Sequence, residues 1–141
     1  MSKFSEPFVG YADGASRSTQ NLSSTTWAIF APSDKLVSFR GICIGQLTNN
    51  IVECITLIEL LSDAISLGIH WIIIKLDSQL IVLQLKNIYT IRNLIILCMF
   101  LRVRILERHF EYIQYQHISR NFNTLTDSLA NYVLNRHLWH M

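Results

Sequence analysis

The sequence predicts an α/β fold in which helices pack on a mixed β-sheet. Residues 8–42 have the composition of short strands and contain turn residues at Pro32-Ser33-Asp34. A β-rich run at Trp71-Ile72-Ile73-Ile74 is typical of a strand buried on both faces. Apolar residues recur at helical spacing between and after these strands. The predicted order of elements is therefore β-β-β-α-β-α-α-β-α.

The length and composition fit a folded globular protein. The chain has 141 residues, of which 50% are hydrophobic and 16% charged. These values exclude a globally disordered chain and allow a real core. We expect a single domain over residues 1–141, with its core at about 8–134. The net charge of +2 neither supports nor excludes a nucleic-acid partner. In a protein that binds both metal and phosphate, acidic metal ligands cancel the charge of basic phosphate-binding residues.

The cysteines and the apolar segments indicate where the protein resides. Cys43, Cys54 and Cys98 are widely spaced and include no C-x-x-C pair, which argues against a disulfide framework or a zinc site. They favour a reducing, intracellular compartment, and no secretory signal is recognisable at the N-terminus. The apolar block Leu94–Leu101 lies between two arginines and is shorter than the roughly 20 residues that span a bilayer. We expect it to be a buried helix, and we expect no membrane partner.

Turn residues separate the first three strands. The strand Phe8–Asp13 ends at Gly14, and a loop of small and polar residues follows from Ala15 to Ser24. The Pro-Ser-Asp turn divides Thr25–Ala31 from Lys35–Ile42, so these strands form a meander.

Capping signals place the first helix. Thr48-Asn49-Asn50 offers N-caps for a helix over Ile51–Leu67, and Gly68 ends it. Acids and a threonine recur on a polar stripe of this helix, and we expect its last two acids, Glu59 and Asp63, to be solvated. The remaining predicted elements are a strand at His70–Leu76, helices at Ser78–Leu85 and Arg92–Arg108, a strand at Glu111–His117 and a helix at Thr124–Asn135.

Four acids fall at distinctive places in this order. Asp13 ends the first strand, Asp77 follows the fourth strand, and Glu53 and Asp127 lie in the first turns of two helices. If the first and fourth strands are parallel neighbours, Asp13 and Asp77 emerge side by side at the edge where α/β sheets usually bind ligands. Clustered carboxylates repel one another, so this arrangement calls for a hard cation such as Mg²⁺. Two such ions about 3.5–4 Å apart can support hydrolysis of a phosphodiester.

Each acid alone also has a simpler explanation. Asp13-Gly14 is a common turn sequence, and Glu53 is favourable near the positive end of a helix. Asp77 could cap the helix that follows it, and Asp127 could be a solvated first-turn acid. Only their joint placement favours a shared site.

At these residues the chain resembles the type 1 ribonuclease H family, especially the domain found in polyproteins of plant long-terminal-repeat retrotransposons. The resemblance runs from about Phe8 to Leu134, and four motifs in the same order make it specific. The matching stretches are Tyr11-Ala12-Asp13-Gly14-Ala15-Ser16, Thr48-Asn49-Asn50-Ile51-Val52-Glu53, Leu76-Asp77-Ser78-Gln79-Leu80, and His117-Ile118-Ser119-Arg120-Asn121-Phe122-Asn123 leading to Asp127-Ser128-Leu129-Ala130-Asn131.

The resemblance implies a ribonuclease H-like fold and a metal-dependent endoribonuclease that hydrolyses the RNA strand of RNA–DNA hybrids. The fold is a five-stranded mixed sheet in the order 3-2-1-4-5, with strand 2 antiparallel to the others and helices on its faces. The implied catalytic set holds two Mg²⁺ ions with substrate, Mn²⁺ being the alternative, and consists of Asp13, Glu53, Asp77 and Asp127. His117 matches a family histidine that is thought to assist proton transfer or product release. Alternatively, His117 only packs at a strand end or is exposed to solvent.

The resemblance also implies contacts to the hybrid. Amide and hydroxyl side chains can donate and accept hydrogen bonds at 2′-hydroxyls and base edges of the minor groove. The matching positions are Thr48, Asn49, Asn50 and Gln79. Arg120 and Asn123 either order the loop near Asp127 or meet phosphate. We expect the domain to work best when joined to a reverse transcriptase; the oligomeric state stays open.

Several departures from the family pattern support a different hypothesis. Ser23-Ser24-Thr25-Thr26 replaces a glycine-rich approach, Cys54 follows the helix glutamate, and Thr126 precedes the last aspartate. The basic helix inserted in some relatives is missing, and arginines could partly substitute for it or simply form a solvated face (Arg92, Arg102, Arg104 and Arg108). The alternative is therefore a nucleic-acid-binding or scaffold domain with weak or no turnover. A nuclease for other substrates is a third hypothesis, which Asn49-Asn50 and Asp77-Ser78-Gln79 disfavour.

Overall fold

The computed structural model describes residues 6–17 and 22–119. The first eight predicted elements are present there in the predicted order, while the predicted last helix at 124–135 lies outside the described residues. The elements are β1 (Phe8–Arg17), β2 (Leu22–Phe30), β3 (Leu36–Gly45), α1 (Asn49–Ser66), β4 (Trp71–Leu76), α2 (Gln79–Leu85), α3 (Leu94–Glu107) and β5 (Tyr112–His117).

The strands form one sheet in the order β3-β2-β1-β4-β5. β2 is antiparallel to β1 and β3, whereas β4 is parallel to both β1 and β5. This confirms the predicted strand order and the single antiparallel strand. Because β1 and β4 are parallel neighbours, the residues that follow their last shared pair meet at one edge of the sheet.

Strand β1 is longer than the sequence predicts. Its parallel pairing with β4 stops at Ala12, opposite Leu76, but its antiparallel pairing with β2 continues from Asp13 to Arg17. The predicted loop from Ala15 to Ser24 is therefore wrong at the described residues 15–17 and 22–24. Small polar residues are typical of loops, but here most of this segment pairs in the β-ladder.

Helix α1 packs closely on the centre of the sheet. Its residues Leu57, Leu60 and Leu61 are fully buried. Burial of each such side chain stabilises the folded state by roughly 1.5–3 kcal/mol. A Cβ atom at Gly10 of β1 would lie 3.0 Å from a methyl carbon of Leu60, so the glycine permits this close approach. The helix gives way to a turn at Gly68, whose φ of 75° suits the residue after a helix end, as predicted.

Strand β4 alternates between buried and half-buried side chains. Ile72, Ile74 and Leu76 belong to the core that α1 covers, whereas Trp71 and Ile73 are half-buried. The predicted burial of both faces is thus only partly correct. A β-rich run indicates a central strand, but it does not tell how completely each face is covered.

Helix α3 is not the buried helix that its apolar sequence predicts. Ile96, Phe100 and Val103 are buried in the core, whereas Leu94 and Leu101 are 75% and 58% exposed. In the described part of the chain, α3 has its main contacts with α1, so one side of it remains at the surface. None of the helices within residues 6–17 and 22–119 is long and apolar enough to cross a bilayer.

Candidate active site

Two acids follow the last shared pair of the central parallel strands. Ala12 and Leu76 form that pair, so Asp13 and Asp77 come next on neighbouring strands. The prediction that Asp13 ends its strand is wrong. Asp13 lies where β1 stops pairing with β4 but continues to pair with β2. The change of partner, rather than a strand end, brings Asp13 to this edge.

Helix α1 brings a third acid to the same edge. Glu53 is the fifth residue of α1, two residues further along the helix than predicted and beyond its first turn, because the helix begins at Asn49. Thr48 takes the N-cap position without a side-chain capping bond. Close packing of Leu60, about two turns further along α1, on Gly10 holds the helix against β1.

The three acids line one narrow pocket. One carboxylate oxygen of each acid is buried: Oδ2 of Asp13, Oε2 of Glu53 and Oδ2 of Asp77. The other lining residues are Ala12, Thr56, Leu76 and Ser78. The ionisable side chains along this pocket are thus all acids, and their negative charges are mutually destabilising.

The capping explanation for Asp77 does not hold. Ser78 is the N-cap of α2, and its hydroxyl accepts a hydrogen bond from the backbone N–H of Ile81 at 3.4 Å. The helix start therefore uses Ser78, and the Asp77 carboxylate lines the pocket. Ser78 and Thr56 were not predicted to line the site, although Thr56 lies three residues after Glu53 and so on the same helix side.

The pocket offers oxygen ligands and negative charge, which are the features that Mg²⁺ prefers. Within residues 6–17 and 22–119, no group of three His, Cys, Asp or Glu side chains is arranged to hold a metal ion. The fourth predicted ligand, Asp127, lies outside the described residues. The donor chemistry fits a hard divalent cation, while the described acids alone do not form a complete coordination site.

A thiol lies next to the pocket in the sequence. Cys54 is fully buried, and burial, together with the charge of Glu53, raises the pKa of its thiol to about 12. The thiol is therefore uncharged at neutral pH and behaves as a small apolar core residue. Its occurrence after the glutamate is compatible with packing of α1 against the sheet.

The predicted hybrid-binding residues that can be placed lie around this pocket. Gln79 is exposed and follows Asp77 by two residues, and Thr48, Asn49 and Asn50 are exposed at the start of α1, about one turn before Glu53. Arg120 and Asn123 lie outside the described residues.

The predicted histidine lies at the same edge of the sheet. His117 is exposed, ends β5 and is in register with Leu76, the residue before Asp77. The strand order therefore brings a titratable nitrogen donor near the acidic pocket, on the side of the neighbouring strand.

The arginines of the α3 region divide into two groups. Arg104 donates to Glu107 at 2.9 Å and to the backbone oxygen of Leu85 at 2.8 Å, so it ties α3 to α2. Arg92, Arg102 and Arg108 are exposed. Arg104 is thus a structural residue, and only the other three remain available as a basic surface.

A second carboxylate of α1 was wrongly predicted to be solvated. Asp63 is 8% exposed and accepts hydrogen bonds from Trp27 Nε1 at 2.8 Å and from Ser38 Oγ. Arg40 Nε lies 3.5 Å from the same oxygen, Oδ2. The polar stripe of α1 therefore faces the sheet, and Glu59, which is half-buried, lines an open groove beside Asp63.

Comparisons with known proteins agree with this architecture. Residues 11–133 match the model of the family described as reverse transcriptase-like. Ribonuclease HI of Halobacterium salinarum is 32% identical over 124 residues, which cover 88% of this chain and 62% of that protein. The crystal structure of ribonuclease H1 from the same archaeon superposes with a TM-score of 0.87 at 30% identity, covering 93% of this chain and 99% of that one.

One further relative and one further solved structure are similar to this chain. The bifunctional protein Rv2228c of Mycobacterium tuberculosis is 30% identical over 123 residues, which cover 85% of this chain but only 33% of that protein. The chain thus spans about one third of the mycobacterial relatives that it matches. The structure of LC11-RNase H1 in complex with an RNA/DNA hybrid has a TM-score of 0.86 and covers 93% of this chain and 99% of that one; at 23% identity it shows the fold alone.

Proposed function

The chain belongs to the reverse transcriptase-like family and has the type 1 ribonuclease H fold, and we propose that it is a metal-dependent endoribonuclease that cuts the RNA strand of RNA–DNA hybrids. The observation that carries this proposal is the meeting of Asp13, Glu53 and Asp77 in one pocket. These acids come from two strands and a helix that are far apart in the chain. The ribonuclease H name of a relative at 32% identity supports the same activity class.

In this proposal, Asp13, Glu53, Asp77 and Asp127 hold two Mg²⁺ ions with the substrate, Mn²⁺ being the alternative. When bound, the ions activate a water molecule and stabilise the leaving oxygen at phosphorus. The protein contributes the fixed spacing of the acids, because the paired strands and the packing of α1 on Gly10 leave little freedom at this edge.

The neighbouring polar residues bind and orient the hybrid. The exposed side chains of Thr48, Asn49, Asn50 and Gln79 contact the minor groove, where RNA is distinguished by its 2′-hydroxyls. Arg120 and Asn123 order the segment before Asp127 or contact phosphate. His117 assists proton transfer or product release from the end of the neighbouring strand, where it is exposed to solvent.

We further infer that the domain derives from a retrotransposon polyprotein and works beside a fused or associated reverse transcriptase. The description of its family as reverse transcriptase-like supports the association with a reverse transcriptase. We also infer an intracellular location, since Cys43, Cys54 and Cys98 are free thiols and Cys54 lies in the core.

One observation favours a second candidate, a nucleic-acid-binding scaffold with weak or no turnover. The substituted run Ser23–Thr26 is fully buried on β2, next to the segment of β1 that contains Asp13. A scaffold would bind hybrid through the exposed polar residues without needing the acids.

A cleavage assay separates the two candidates. Labelled RNA–DNA hybrid is incubated with the protein and Mg²⁺ or Mn²⁺, beside Asp77→Asn and the pair Glu53→Gln and Glu59→Gln. Glu59 is a matched control because it lies on the same helix but lines a different groove. The nuclease proposal predicts loss of cutting by about 10³-fold in Asp77→Asn and Glu53→Gln, about 4 kcal/mol in the barrier, with Glu59→Gln unchanged.

The other outcomes are equally informative. Hybrid binding without cutting by the wild type would support the scaffold and reject the nuclease. Cutting that survives in Asp77→Asn and Glu53→Gln would reject the acidic pocket as the active site.

A further inference from the structure

Helix α3 carries a row of apolar residues on the side opposite to its buried side. At 3.6 residues per turn, the buried residues Ile96, Phe100 and Val103 face one direction. A second set repeats at spacings of four, three and four and faces nearly the opposite direction. We call this set the α3 seam: Leu94, Cys98, Leu101 and Ile105.

The α3 seam is open to solvent. Leu94, Leu101 and Ile105 are each more than half exposed, and Cys98 is also exposed. Three further apolar residues, before and at the start of the helix, are also more than half exposed: Ile88, Tyr89 and Ile95. A helix that is apolar on all sides is normally covered, and contiguous exposed apolar patches mark interaction sites.

The spacing of the α3 seam favours a helical partner. Alternation of three and four residues is the pattern by which two α-helices pack side by side along a narrow apolar line. The helix has 14 residues and is therefore about 21 Å long, which matches two to three heptads of a partner. Nucleic acid would engage charged groups but would leave the leucines and isoleucine of the seam in water.

The charges beside the α3 seam indicate the chemistry of that partner. Arg92, Arg102 and Arg108 are exposed on or next to α3. Glu107 is turned inward, where it accepts hydrogen bonds from Arg104 and from the hydroxyl of Tyr115. Within residues 92–108, the exposed charged side chains are thus all positive. A second copy of the chain would bring like charges together, whereas an acidic partner would be attracted.

We propose that the α3 seam docks an amphipathic α-helix of a partner polypeptide, with apolar residues at heptad spacing flanked by Asp and Glu. The proposal is independent of catalysis, because the seam residues do not line the acidic pocket. Binding by this surface is expected to weaken with added salt, since exposed charges contribute to it.

A designed peptide tests the proposal directly. The probe is a fluorescein-labelled, 21-residue peptide with Leu at the two seam positions of each heptad and Glu at the flanking positions. A matched peptide carries Lys in place of Glu, and binding to the full chain is measured by anisotropy. We expect the Glu peptide to bind at least tenfold more tightly than the Lys peptide. Equal binding of both peptides, or of neither, would overturn the proposal.

Two variants with the same charge change locate the binding surface. Leu101→Glu alters the middle of the α3 seam, and Val37→Glu alters an exposed apolar residue of β3. Circular dichroism verifies that both remain folded, as expected for exposed positions. We expect Leu101→Glu to weaken binding of the Glu peptide at least tenfold and Val37→Glu to change it less than twofold. Binding that is unchanged in Leu101→Glu would overturn the assignment.

Other occupants give distinct outcomes. Sedimentation that reveals a wild-type dimer lost in Leu101→Glu would replace the proposed partner by a second copy. Flotation with anionic phospholipid vesicles that requires Leu101, without peptide binding, would replace it by a membrane surface. An RNA–DNA hybrid that displaces the peptide completely would assign the surface to nucleic acid.

Discussion

Helix α1 carries two carboxylates in opposite surroundings. Near its start, Glu53 lines a pocket with Asp13 and Asp77, and the ionisable side chains of that pocket are all acids. Near its end, Asp63 accepts hydrogen bonds from an indole N–H and a serine hydroxyl and lies 3.5 Å from the guanidinium of Arg40. The same helix thus presents one carboxylate to other acids and the other carboxylate to donors.

The surroundings of a buried carboxylate distinguish a structural role from a functional one. A buried charge is tolerated when the protein supplies donors and an opposite charge, as it does at Asp63. Three acids that converge on one pocket add mutual repulsion, which a bound cation can offset. The donors around Asp63 connect α1 to β2 and β3, whereas the acidic pocket gathers residues that repel one another.

The largest expected effect on stability is at the donor-rich end of the helix. Asp63→Asn removes a charged acceptor that serves Trp27, Ser38 and Arg40, so we expect the free energy of unfolding to fall by about 2–3 kcal/mol. Urea denaturation measures the change, and Glu59→Gln on the same helix is the control, expected within about 0.5 kcal/mol. If both variants have the same stability, the Asp63 network is not a stabilising contact.

A smaller effect concerns pH at the acidic end. The pKa of the Cys54 thiol is raised from 9.0 to about 12, so the folded state keeps its proton when the unfolded chain has lost it. The contribution of this thiol is complete below pH 9 and is lost as the pH rises from 9 toward 12. We expect this group to lower stability by about 1 kcal/mol between pH 8 and pH 10.

Urea denaturation at the two pH values measures this loss, with Cys54→Ala as the comparison. The variant starts from a lower stability because it leaves a cavity, but its decline between pH 8 and pH 10 is expected to be smaller by about 1 kcal/mol. Equal declines in the two proteins would contradict the raised pKa.

The smallest expected effect concerns the cation itself. Asp77→Asn removes one of the three pocket charges, so Mg²⁺ at a concentration equal to its Kd should stabilise the wild type by about 0.4 kcal/mol and leave the variant nearly unchanged. Thermal unfolding with and without the ion measures the effect, and an equal response of the two proteins would contradict a role of Asp77 in binding the ion.

Much of the fold could be predicted from the sequence. The β-rich run at Trp71–Ile74 and the turn at Pro32-Ser33-Asp34 marked the central strand and the meander, and the resemblance supplied the strand order. The positions of Asp13, Glu53 and Asp77 relative to these elements predicted their meeting at one edge. The extension of β1 could not be predicted, because Ala15 and Ser16 have loop-like composition and pair only through their neighbour β2.

Burial was harder to predict than topology. The spacing of Asp63 indicated a polar side of α1, but its partners Trp27 and Arg40 come from β2 and β3, and the sequence does not tell which surface a helix stripe meets. The apolar block of α3 predicted burial on all sides, yet only the side toward α1 is covered in the described part of the chain. Both errors concern what lies opposite a side chain, which depends on tertiary packing.

The most direct test is a Mn²⁺ titration followed by electron paramagnetic resonance, which measures the free ion. We expect that the wild type binds Mn²⁺ and that Mg²⁺ competes for the site. Glu53→Gln should weaken Mn²⁺ binding at least tenfold, which is about 1.4 kcal/mol of binding free energy. Glu59→Gln should bind as the wild type does, because Glu59 lines the groove beside Asp63. Absence of binding by the wild type, or equal binding by Glu53→Gln, would contradict the assignment of the acidic pocket as a metal site.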